Sequence, residues 1–387
     1  MVRKIAIVTG SRAEYGYLKP LIQRILRDEN LQLLLYVAGM HLVKSHGNTI
    51  EEIKKDGFKI QATVPMGEEE NNSTDEVPLS IAKGIIGFTK SFKKDKPDVV
   101  VVLGDRVEPF SATISAASLN IPVAHINGGD VSGNIDDSFR HAMTKLSHLH
   151  FPASALSMKR ILKLGEEKWR VHQVGALSLD TILHEKLRSL NELRAIYHVP
   201  KKKYILFVYH AVTTEWKDAK YQIHRTLQAM QKIMQKQDMF VIMVYPNTDP
   251  GGKDILLEIT QFALKNSQVY LFKNLPYQDF LSFMSASSVF VGNSSSGIIE
   301  APSFGIPYVC VGTRQKGRER AQNVIDVDYD ENNIIKGIKK ALFDEAFLKK
   351  IRRCHNPYGN GTASQKIVKI LHTVSLNERL LKKRMTY

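Results

Sequence analysis

Short apolar runs alternate with amphipathic helical patterns along almost the whole chain. Strands are predicted near residues 4–9, 32–38, 58–64, 98–103, 122–126 and 171–174, and again near 204–209, 239–245, 268–272, 288–291, 308–311 and 324–327. The run Val99–Leu103 is apolar at every position, as expected for a strand that is covered on both faces of a parallel sheet. This alternation is typical of βαβ units, and it predicts an α/β fold of doubly wound parallel sheets.

The chain has 387 residues, a length that fits two doubly wound domains better than one. We predict an N-terminal Rossmann-like domain over 1–176 and a C-terminal Rossmann-like domain over 177–361, which begins with a connecting helix over 177–197. A final helix over 362–384 is predicted to join the first domain. The carboxyl ends of two such sheets are expected to face one cleft, where a ligand binds.

Composition restricts the classes of partner that the protein can have. The formal net charge is +15, which is compatible with a phosphorylated small molecule, a nucleic acid or an anionic surface. The lysines are scattered along predicted helices, and no basic block interleaved with aromatic residues indicates a nucleic-acid module. We therefore predict a lysine-rich surface, positive potential around an anionic substrate, and no nucleic-acid partner.

Cysteine content and the lengths of the apolar stretches predict a cytoplasmic protein. Cys310 and Cys354 are too few for a disulfide framework or a cysteine-based zinc site, which fits a reducing compartment. Met1 leads directly into a strand pattern without the features of a signal peptide, and no apolar stretch approaches the ~18 residues of a membrane span. His125, His141, His148 and His150 do not have the spacing of metal ligands. We therefore predict no metal site and assign these histidines core or helix-capping roles.

Charged side chains follow three predicted strands of the first half. Arg12 lies at the start of a helix, where a cation opposes the helix dipole unless it meets an anion, so Arg12 is either a phosphate contact or a surface arginine. Asp105 and Arg106 follow the central strand and, by themselves, are compatible with a local ion pair. The next strand leads into a glycine-rich loop and a helix that carry Asn127, Asp130, Asp136 and Arg140.

The spacing in this last segment has two interpretations. Asp136 begins a predicted helix, and Arg140 lies one turn later on the same face. Asp136 is therefore either an N-cap or a residue that takes part in chemistry. Two loops that each offer a carboxylate and an arginine at a sheet edge suit proton abstraction and delivery around an anionic leaving group.

Hydroxyl, amide and histidine side chains follow the strands of the second half. His210 ends one strand, and Asn247 and Lys253 follow the next. The segment Gly-Asn-Ser-Ser-Ser-Gly at 292–297 connects a strand to a helix predicted over 296–304. Such a turn presents main-chain N–H groups and hydroxyls to an anion, although a serine N-cap on a buried helix gives the same pattern. Together these loops indicate a nucleotide-diphosphate site that also includes Ser294, Ser295, Glu300 and Arg314.

These loops closely resemble those of the hydrolysing UDP-N-acetylglucosamine 2-epimerases, in particular the branch that serves sialic and legionaminic acid synthesis. The resemblance extends from about residue 4 to residue 345. It implies a glycosyltransferase-B-like fold, a UDP-sugar substrate, no metal or redox cofactor, and a homo-oligomer of two or four chains. The motifs that carry it occur in the family's order: SRAEYG (11–16), GMHL (39–42), GDR (104–106), GGDVSGNIDDSFRHAMTKLSH (128–148), VTTE (212–215), YPNTD (245–249), GNSSSG (292–297) and GTRQKGRE (312–319).

The resemblance also implies a reaction and a set of site residues. The enzyme would remove the proton on carbon 2 of the sugar while the anomeric C–O bond breaks, and water would convert the resulting glycal to the free 2-epimer. Catalytic positions of the family match Asp105, Asp136 and Arg140. Nucleotide-binding positions match Arg12, Arg106, His210, Asn247, Lys253, Ser294, Ser295, Glu300 and Arg314.

Two positions differ from the pattern of the family. Many members have Lys at the position of Tyr17, and Glu, a catalytic carboxylate, at the position of Asn127. An amide cannot act as a base, so Asp130 or Asp105 could transfer the proton instead. The differences could also accompany another sugar, such as the 2,4-diacetamido-2,4,6-trideoxyhexose. A third alternative is that activity is lost. The sequence favours a hydrolysing 2-epimerase of UDP-N-acetylglucosamine or of that analogue. The alternatives are a glycosyltransferase of the same fold and an inactive protein that binds a nucleotide sugar.

Overall fold

A computed structural model describes residues 2–43, 49–67, 76–131, 136–247 and 250–387, without the side chains of Glu76 and Asp136. The chain divides into two compact units. The first unit takes in residues 2–130, 136–184 and 358–387, and the second takes in residues 131 and 185–357. The C-terminal segment therefore belongs to the first unit.

The first unit is a parallel six-stranded sheet with helices on both faces. The sheet consists of β1 (Arg3–Thr9), β2 (Leu31–Ala38), β3 (Ile60–Val64), β4 (Val99–Leu103), β5 (Val123–Ile126) and β6 (Leu149–Phe151) in the order β3-β2-β1-β4-β5-β6. The helices are α1 (Arg12–Leu26), α2 (Ile50–Lys55), α3 (Glu76–Asp95), α4 (Val107–Ser118), α5 (Asp136–Leu146), α6 (Ala155–Lys163) and α7 (Ser178–His184).

The apolar residues of the central strands explain this arrangement. All five residues of β4 are buried, and β4 pairs with β1 in parallel, with Ile5 opposite Val99. One face of the sheet packs on Leu18 and Leu21 of α1, and the other packs on Phe88 of α3. The order of the strands reverses direction between β1 and β4, which makes their carboxyl ends the switch point of the sheet.

The second unit repeats the same topology. Its strands are β7 (Lys203–Val208), β8 (Met239–Val244), β9 (Val269–Phe272), β10 (Val289–Gly292), β11 (Tyr308–Val311) and β12 (Val324–Val327), in the order β12-β11-β10-β7-β8-β9. Its helices are α8 (Leu190–Tyr197), α9 (Ala219–Lys236), α10 (Gly252–Lys265), α11 (Tyr277–Ala286), α12 (Ser296–Ile299), α13 (Glu331–Phe343) and α14 (Glu345–Ile351). The switch point of this sheet lies between β7 and β10. The predicted doubly wound, Rossmann-like architecture is confirmed for both units.

The C-terminal segment forms two helices, α15 (Ala363–Thr373) and α16 (Glu378–Leu381), so the prediction of one helix over 362–384 is wrong. Asn377 ends the intervening turn, and its side chain accepts a hydrogen bond from the N–H of Leu380 at 3.2 Å, which caps α16. Asp180 in turn caps α15, because its carboxylate accepts from the N–H groups of Ala363 and Ser364 at 2.9 and 2.7 Å.

Three other predicted elements differ from the structure. The sixth strand is β6 rather than 171–174, where Val171 makes a single parallel bridge to His150. The predicted helix over 177–197 is interrupted before Ser189, which forms a capping box with Glu192 and so starts α8 anew. The predicted helix over 296–304 consists of α12 and a 3₁₀ turn at Ala301–Phe304, because Pro302 lies at the start of the second piece and lacks the N–H that would continue an α-helix. None of the described helices is both long and apolar enough to cross a membrane.

Candidate active site

Arg140 gathers the acidic groups at the carboxyl edge of the first sheet. Its guanidinium donates to the carboxylate of Asp105, which follows β4, and to that of Asp137 in the first turn of α5. It also donates to the main-chain carbonyl of Asp130 at 2.8 Å. The Arg140 side chain is 5% exposed, whereas that of Asp105 is 18% exposed. A buried cation therefore anchors a carboxylate that still reaches the surface of the unit.

Asp130 is held differently, by the helix that follows β6. Its carboxylate accepts a hydrogen bond of 2.6 Å from the hydroxyl of Ser157 in α6, and Asp130 is buried. Gly129 has φ of +75°, and a Cβ at this position would lie 2.2 Å from the carbonyl oxygen of Ser157. Close packing of the Gly129–Asp130 turn on α6 therefore fixes the Asp130 carboxylate inside the unit.

Asn127 occupies a backbone conformation that explains part of its difference from the family. Its φ is +62°, in the left-handed region that asparagine adopts more readily than longer side chains. Its Oδ1 atom is buried and has no hydrogen-bond partner among the described residues. The residue therefore places an amide, not a base, at the carboxyl end of β5.

The two arginines predicted to contact substrate lie at the switch point itself. Arg12 is the first residue of α1, and its Nη1 atom is 3.7 Å from Oε1 of Glu52. Arg106 precedes α4, is 44% exposed, and has its Nε atom 3.4 Å from Oε2 of Glu108. The sulfur of Met40 accepts a second contact from Arg106, which gives the GMHL segment a role in positioning this arginine.

The side chain of Asp136 lies outside the described residues, although its backbone begins α5. The segment 132–135 of the glycine-rich motif and residues 248–249 of the YPNTD motif also lie outside them. The predicted catalytic role of Asp136 stays a prediction.

A pair of buried carboxylates, which the sequence did not predict, lies close to Arg106. Glu14 is 4% and Glu108 is 1% exposed, and burial together with the carboxylate of Glu108 raises the pKa of Glu14 to about 8. The available signal was the presence of one glutamate in each of two motif loops that meet at the switch point. Contact between residues so far apart in sequence required the structure.

The second unit has a polar cluster at its own switch point, built around Asn293. This side chain is fully buried. Its Oδ1 atom accepts from the N–H of His210 at 2.7 Å, and its Nδ2 atom donates to the carbonyl of His210 at 2.8 Å. One amide therefore joins the end of β10 to the end of β7.

His210, Asn247 and Arg314 come together around this amide. Nδ1 of His210 accepts from the main-chain N–H of Asn247 at 3.1 Å. Burial, with the charge of Arg314, lowers the pKa of His210 to about 3. A neutral imidazole whose Nδ1 accepts has its proton on Nε2, so His210 presents a hydrogen-bond donor. Arg314 donates to the carbonyl of Asn293 at 3.2 Å, which places a cation beside that donor.

The turn at 292–297, which contains three serines, leads into a shorter helix than the sequence predicted. The hydroxyl of Ser294 accepts from the N–H of Ser296 at 3.3 Å, and Ser295 is the half-buried N-cap residue of α12. Because α12 has only 4 residues, its dipole contributes less than that of the longer helix predicted. Glu300 follows α12 and is buried.

Lys253 and Glu215 also lie in segments that follow strands of the second unit. Lys253 is exposed in the first turn of α10. Glu215 was predicted only as part of a motif, yet its carboxylate accepts from the hydroxyl of Tyr329 at 2.8 Å and from Gln222 at 2.7 Å. It also accepts from the hydroxyl of Thr313, so it ties the loop after β7 to the loop that carries Arg314.

Gly292 is the position where this second cluster is most sensitive to substitution. Its φ is +137°, and an added Cβ would lie 2.0 Å from the carbonyl oxygen of Val208. Gly292→Ala is therefore expected to lower the free energy of unfolding by about 3 kcal/mol, as measured by chemical denaturation. Gly57→Ala is a matched control with φ of +78° and open space around the Cβ. A loss no greater than that of the control would contradict this view of the β7–β10 junction.

In both doubly wound units a polar cluster lies at the switch point of the sheet, where α/β proteins of this class bind their ligands. A family model described as UDP-N-acetylglucosamine 2-epimerase matches residues 23–372. Over the full length of both chains, the sequence is 38% identical to a UDP-N,N'-diacetylbacillosamine 2-epimerase (hydrolyzing) from Legionella pneumophila. It is 36% identical, over 85% of each chain, to a GDP/UDP-N,N'-diacetylbacillosamine 2-epimerase (hydrolyzing) from Campylobacter jejuni.

The chain belongs to the UDP-N-acetylglucosamine 2-epimerase family. Its fold is similar to that of the UDP-GlcNAc 2-epimerase from Neisseria meningitidis in a crystal structure bound to UDP-GlcNAc. The TM-score is 0.82 at 20% identity, and the match covers 95% of this chain and 99% of that chain. The predicted family resemblance and the glycosyltransferase-B-like fold are confirmed.

Proposed function

We propose that this protein is a hydrolysing 2-epimerase of a UDP-linked 2-acetamido sugar, and that its sugar is the 2,4-diacetamido-2,4,6-trideoxyhexose. Family membership supports the reaction class. The observation that carries the choice of sugar is the 38% identity, over the full length of both chains, to a relative named for diacetylbacillosamine. This sugar would place the protein in the cytoplasmic synthesis of a legionaminic-acid type product.

The proposed reaction has two steps, elimination of UDP and hydration of the resulting glycal. A base removes the proton on carbon 2, the C–H electron pair forms the carbon 1–carbon 2 double bond, and the anomeric C–O bond breaks. UDP leaves with the electron pair of this C–O bond. Water then adds its hydroxyl to carbon 1, and a proton reaches carbon 2 from the opposite face, which gives the free 2-epimer.

Within the first unit, Asp105 is the carboxylate that best fits proton transfer. It is anchored by Arg140 and remains partly exposed, whereas Asp130 is buried and accepts from Ser157. Proton transfer requires a carboxyl group within hydrogen-bond reach of the substrate, which favours the more accessible group. Asn127 is half-buried at the end of β5, and its amide is proposed to hydrogen-bond with an acetamido group of the sugar.

In the second unit, the cluster around Asn293 suits a leaving diphosphate. His210 offers a neutral N–H donor and Arg314 a positive charge, and both are fixed by hydrogen bonds to the Asn293 region. Fixed donors and charges stabilise negative charge as it develops on a leaving group. Ser294, Ser295 and Lys253 are proposed as further contacts to the nucleotide.

Two UDP-sugars offered separately to the purified protein test this proposal. Release of UDP and of the free 2-epimer is measured without any acceptor, with UDP-N-acetylglucosamine in one series and the UDP-linked diacetamido trideoxyhexose in the other. We expect turnover of both classes to need no acceptor, and kcat/KM for the diacetamido sugar to be at least about tenfold higher, since a buried polar group left unpaired costs that much or more.

The family name supports UDP-N-acetylglucosamine as the second candidate substrate, with N-acetylmannosamine as its product. A kcat/KM that is higher for UDP-N-acetylglucosamine would overturn the choice of sugar and leave the reaction class intact. Release of UDP only in the presence of an acceptor would identify a glycosyltransferase. Thermal stabilisation by either compound without turnover would identify a binding protein.

A further inference from the structure

Glu14 and Glu108 surround the main chain of Gly10 in the first unit. The N–H of Gly10 donates to Oε2 of Glu14 at 2.8 Å. A Cβ added to Gly10 would lie 2.5 Å from Cδ of Glu108, so the second carboxylate occupies the space where a side chain would be. Both carboxylates are therefore in contact with the turn that leads from β1 to Arg12.

Glu108 also connects this turn to two other loops. Its Oε2 atom is 3.4 Å from Nε of Arg106, which follows β4. Gly39, which follows β2, has φ of +53°, and a Cβ there would lie 2.3 Å from Oε1 of Glu108. One buried carboxylate thus packs against three loops at the switch point: the loop that carries Arg106, the loop after β2, and the turn that leads to Arg12.

Two buried carboxylates beside one glycine are costly to ionise together. The raised pKa of Glu14 follows from its burial and from the charge of Glu108, and Arg106 opposes the shift. His41 also faces this region, from the turn after β2, and burial lowers its pKa to about 4, so it is neutral near pH 7. At that pH, Glu14 is the protonated member of the pair, and Glu108 faces Arg106.

We propose that Glu14 and Glu108 are positioning residues that, through Arg106 and the Gly10–Arg12 turn, set the affinity for the nucleotide sugar. The inference rests on the proposed function, because it takes the ligand to be a UDP-sugar. Loss of the Glu14 proton places a second negative charge beside Gly10, which pushes the turn apart and adds negative charge near an anionic ligand. Affinity therefore falls as the pH rises through about 8.

The proton on Glu14 also makes the stability of the folded protein depend on pH. Since the pKa of Glu14 is 4.5 in its ordinary state and about 8 in the folded protein, the folded state binds more protons than the unfolded state between these values. Stability is therefore highest below pH 4.5 with respect to this group, and it decreases as the pH rises to about 8. Above that pH the contribution is constant.

The experiment compares wild-type protein with Glu14→Gln and Glu108→Gln. Binding of UDP and of UDP-N-acetylglucosamine is measured by calorimetry from pH 7 to pH 9. Glutamine at position 14 imitates the protonated acid, so E14Q is expected to bind like the wild type at pH 7 and about tenfold more tightly than the wild type at pH 9. E108Q is expected to bind about tenfold more weakly at pH 7, because Arg106 loses its charged partner.

Glu52→Gln is the matched control, since Glu52 is exposed and pairs with Arg12 rather than with the buried pair. Its pH profile is expected to follow the wild type. Protonation of the ligand phosphates changes with pH in the same way for every variant. The ratio of variant to wild-type affinity at each pH therefore reports on the protein alone. Parallel profiles for E14Q and the wild type would overturn the proposal, even with full turnover and an intact proposed function.

Failure of the proposed function is distinguishable from failure of this inference. Binding without turnover would reject the epimerase and leave the pH profiles decisive. If no UDP-sugar binds, the thermal unfolding midpoints decide: the wild type should lose stability relative to E14Q between pH 5 and pH 8, and parallel midpoints would overturn the proposal. E14Q keeps the test valid if E108Q does not fold.

Discussion

Asp105→Asn is expected to lower turnover of the UDP-sugar by about two orders of magnitude or more, while UDP affinity changes by less than about threefold. The amide keeps the size of the side chain and one acceptor for Arg140, but it cannot take a proton from carbon 2. Asp105 is not among the residues proposed to contact UDP, so binding should be almost unaffected. The measurement is steady-state UDP release together with calorimetric titration of UDP.

Asp137→Asn is the matched control for this variant. Asp137 accepts from the same guanidinium of Arg140 and is 20% exposed, close to the value for Asp105. It lies outside the proposed catalytic set, so its loss should lower turnover less than about tenfold through a weaker hold on Arg140. Equal losses for the two variants would show that both carboxylates act only by holding Arg140, and would reject Asp105 as the proton-transfer group.

Asn293→Ala is expected to lower both stability and UDP affinity. It leaves the buried N–H and carbonyl of His210 without their partners, which should reduce the free energy of unfolding by about 3 kcal/mol. Since His210 is then no longer held beside Arg314, the affinity for UDP should fall by about tenfold or more. Chemical denaturation and calorimetry measure the two effects.

Asn323→Ala separates stability from binding in the same unit. Asn323 is fully buried, and its Nδ2 atom donates to the carbonyls of Ile306 at 2.9 Å and of Gly297 at 3.3 Å, but not to His210. It should cost a similar amount of stability but lower UDP affinity much less than Asn293→Ala does, because it leaves His210 and Arg314 in place. A loss of affinity in Asn323→Ala equal to that in Asn293→Ala would contradict a specific role for the Asn293 cluster.

The apolar pattern was sufficient to predict the architecture, because a parallel strand that is buried on both faces leaves an unmistakable run such as Val99–Leu103. It failed where a strand is short and polar residues interrupt it. β6 contains only 3 residues, and His150 lies at its centre. This histidine is fully buried, and Glu166 lies 3.0 Å from its Nε2 atom. A contact with a residue outside the strand therefore makes a polar side chain acceptable in the core, which the apolar pattern does not predict.

The candidate site was predictable to the extent that it follows strand ends. The loops after β4 and β5 were expected to meet, and Arg140 does contact Asp105. Residues whose role depends on contacts between distant loops were not found, namely Glu14, Glu108 and Glu215. Likewise, the left-handed backbone of Asn127 could not be read from its neighbours, although it offers a physical reason for an asparagine at that position.

The most direct test of the central claim is proton NMR of the reaction in deuterium oxide, with the UDP-linked diacetamido trideoxyhexose as substrate. Elimination followed by hydration predicts UDP and a free 2-epimer that carries deuterium at carbon 2, since the proton added there comes from the solvent. A product that retains the original proton at carbon 2, or a sugar released with unchanged configuration, would contradict the proposed reaction.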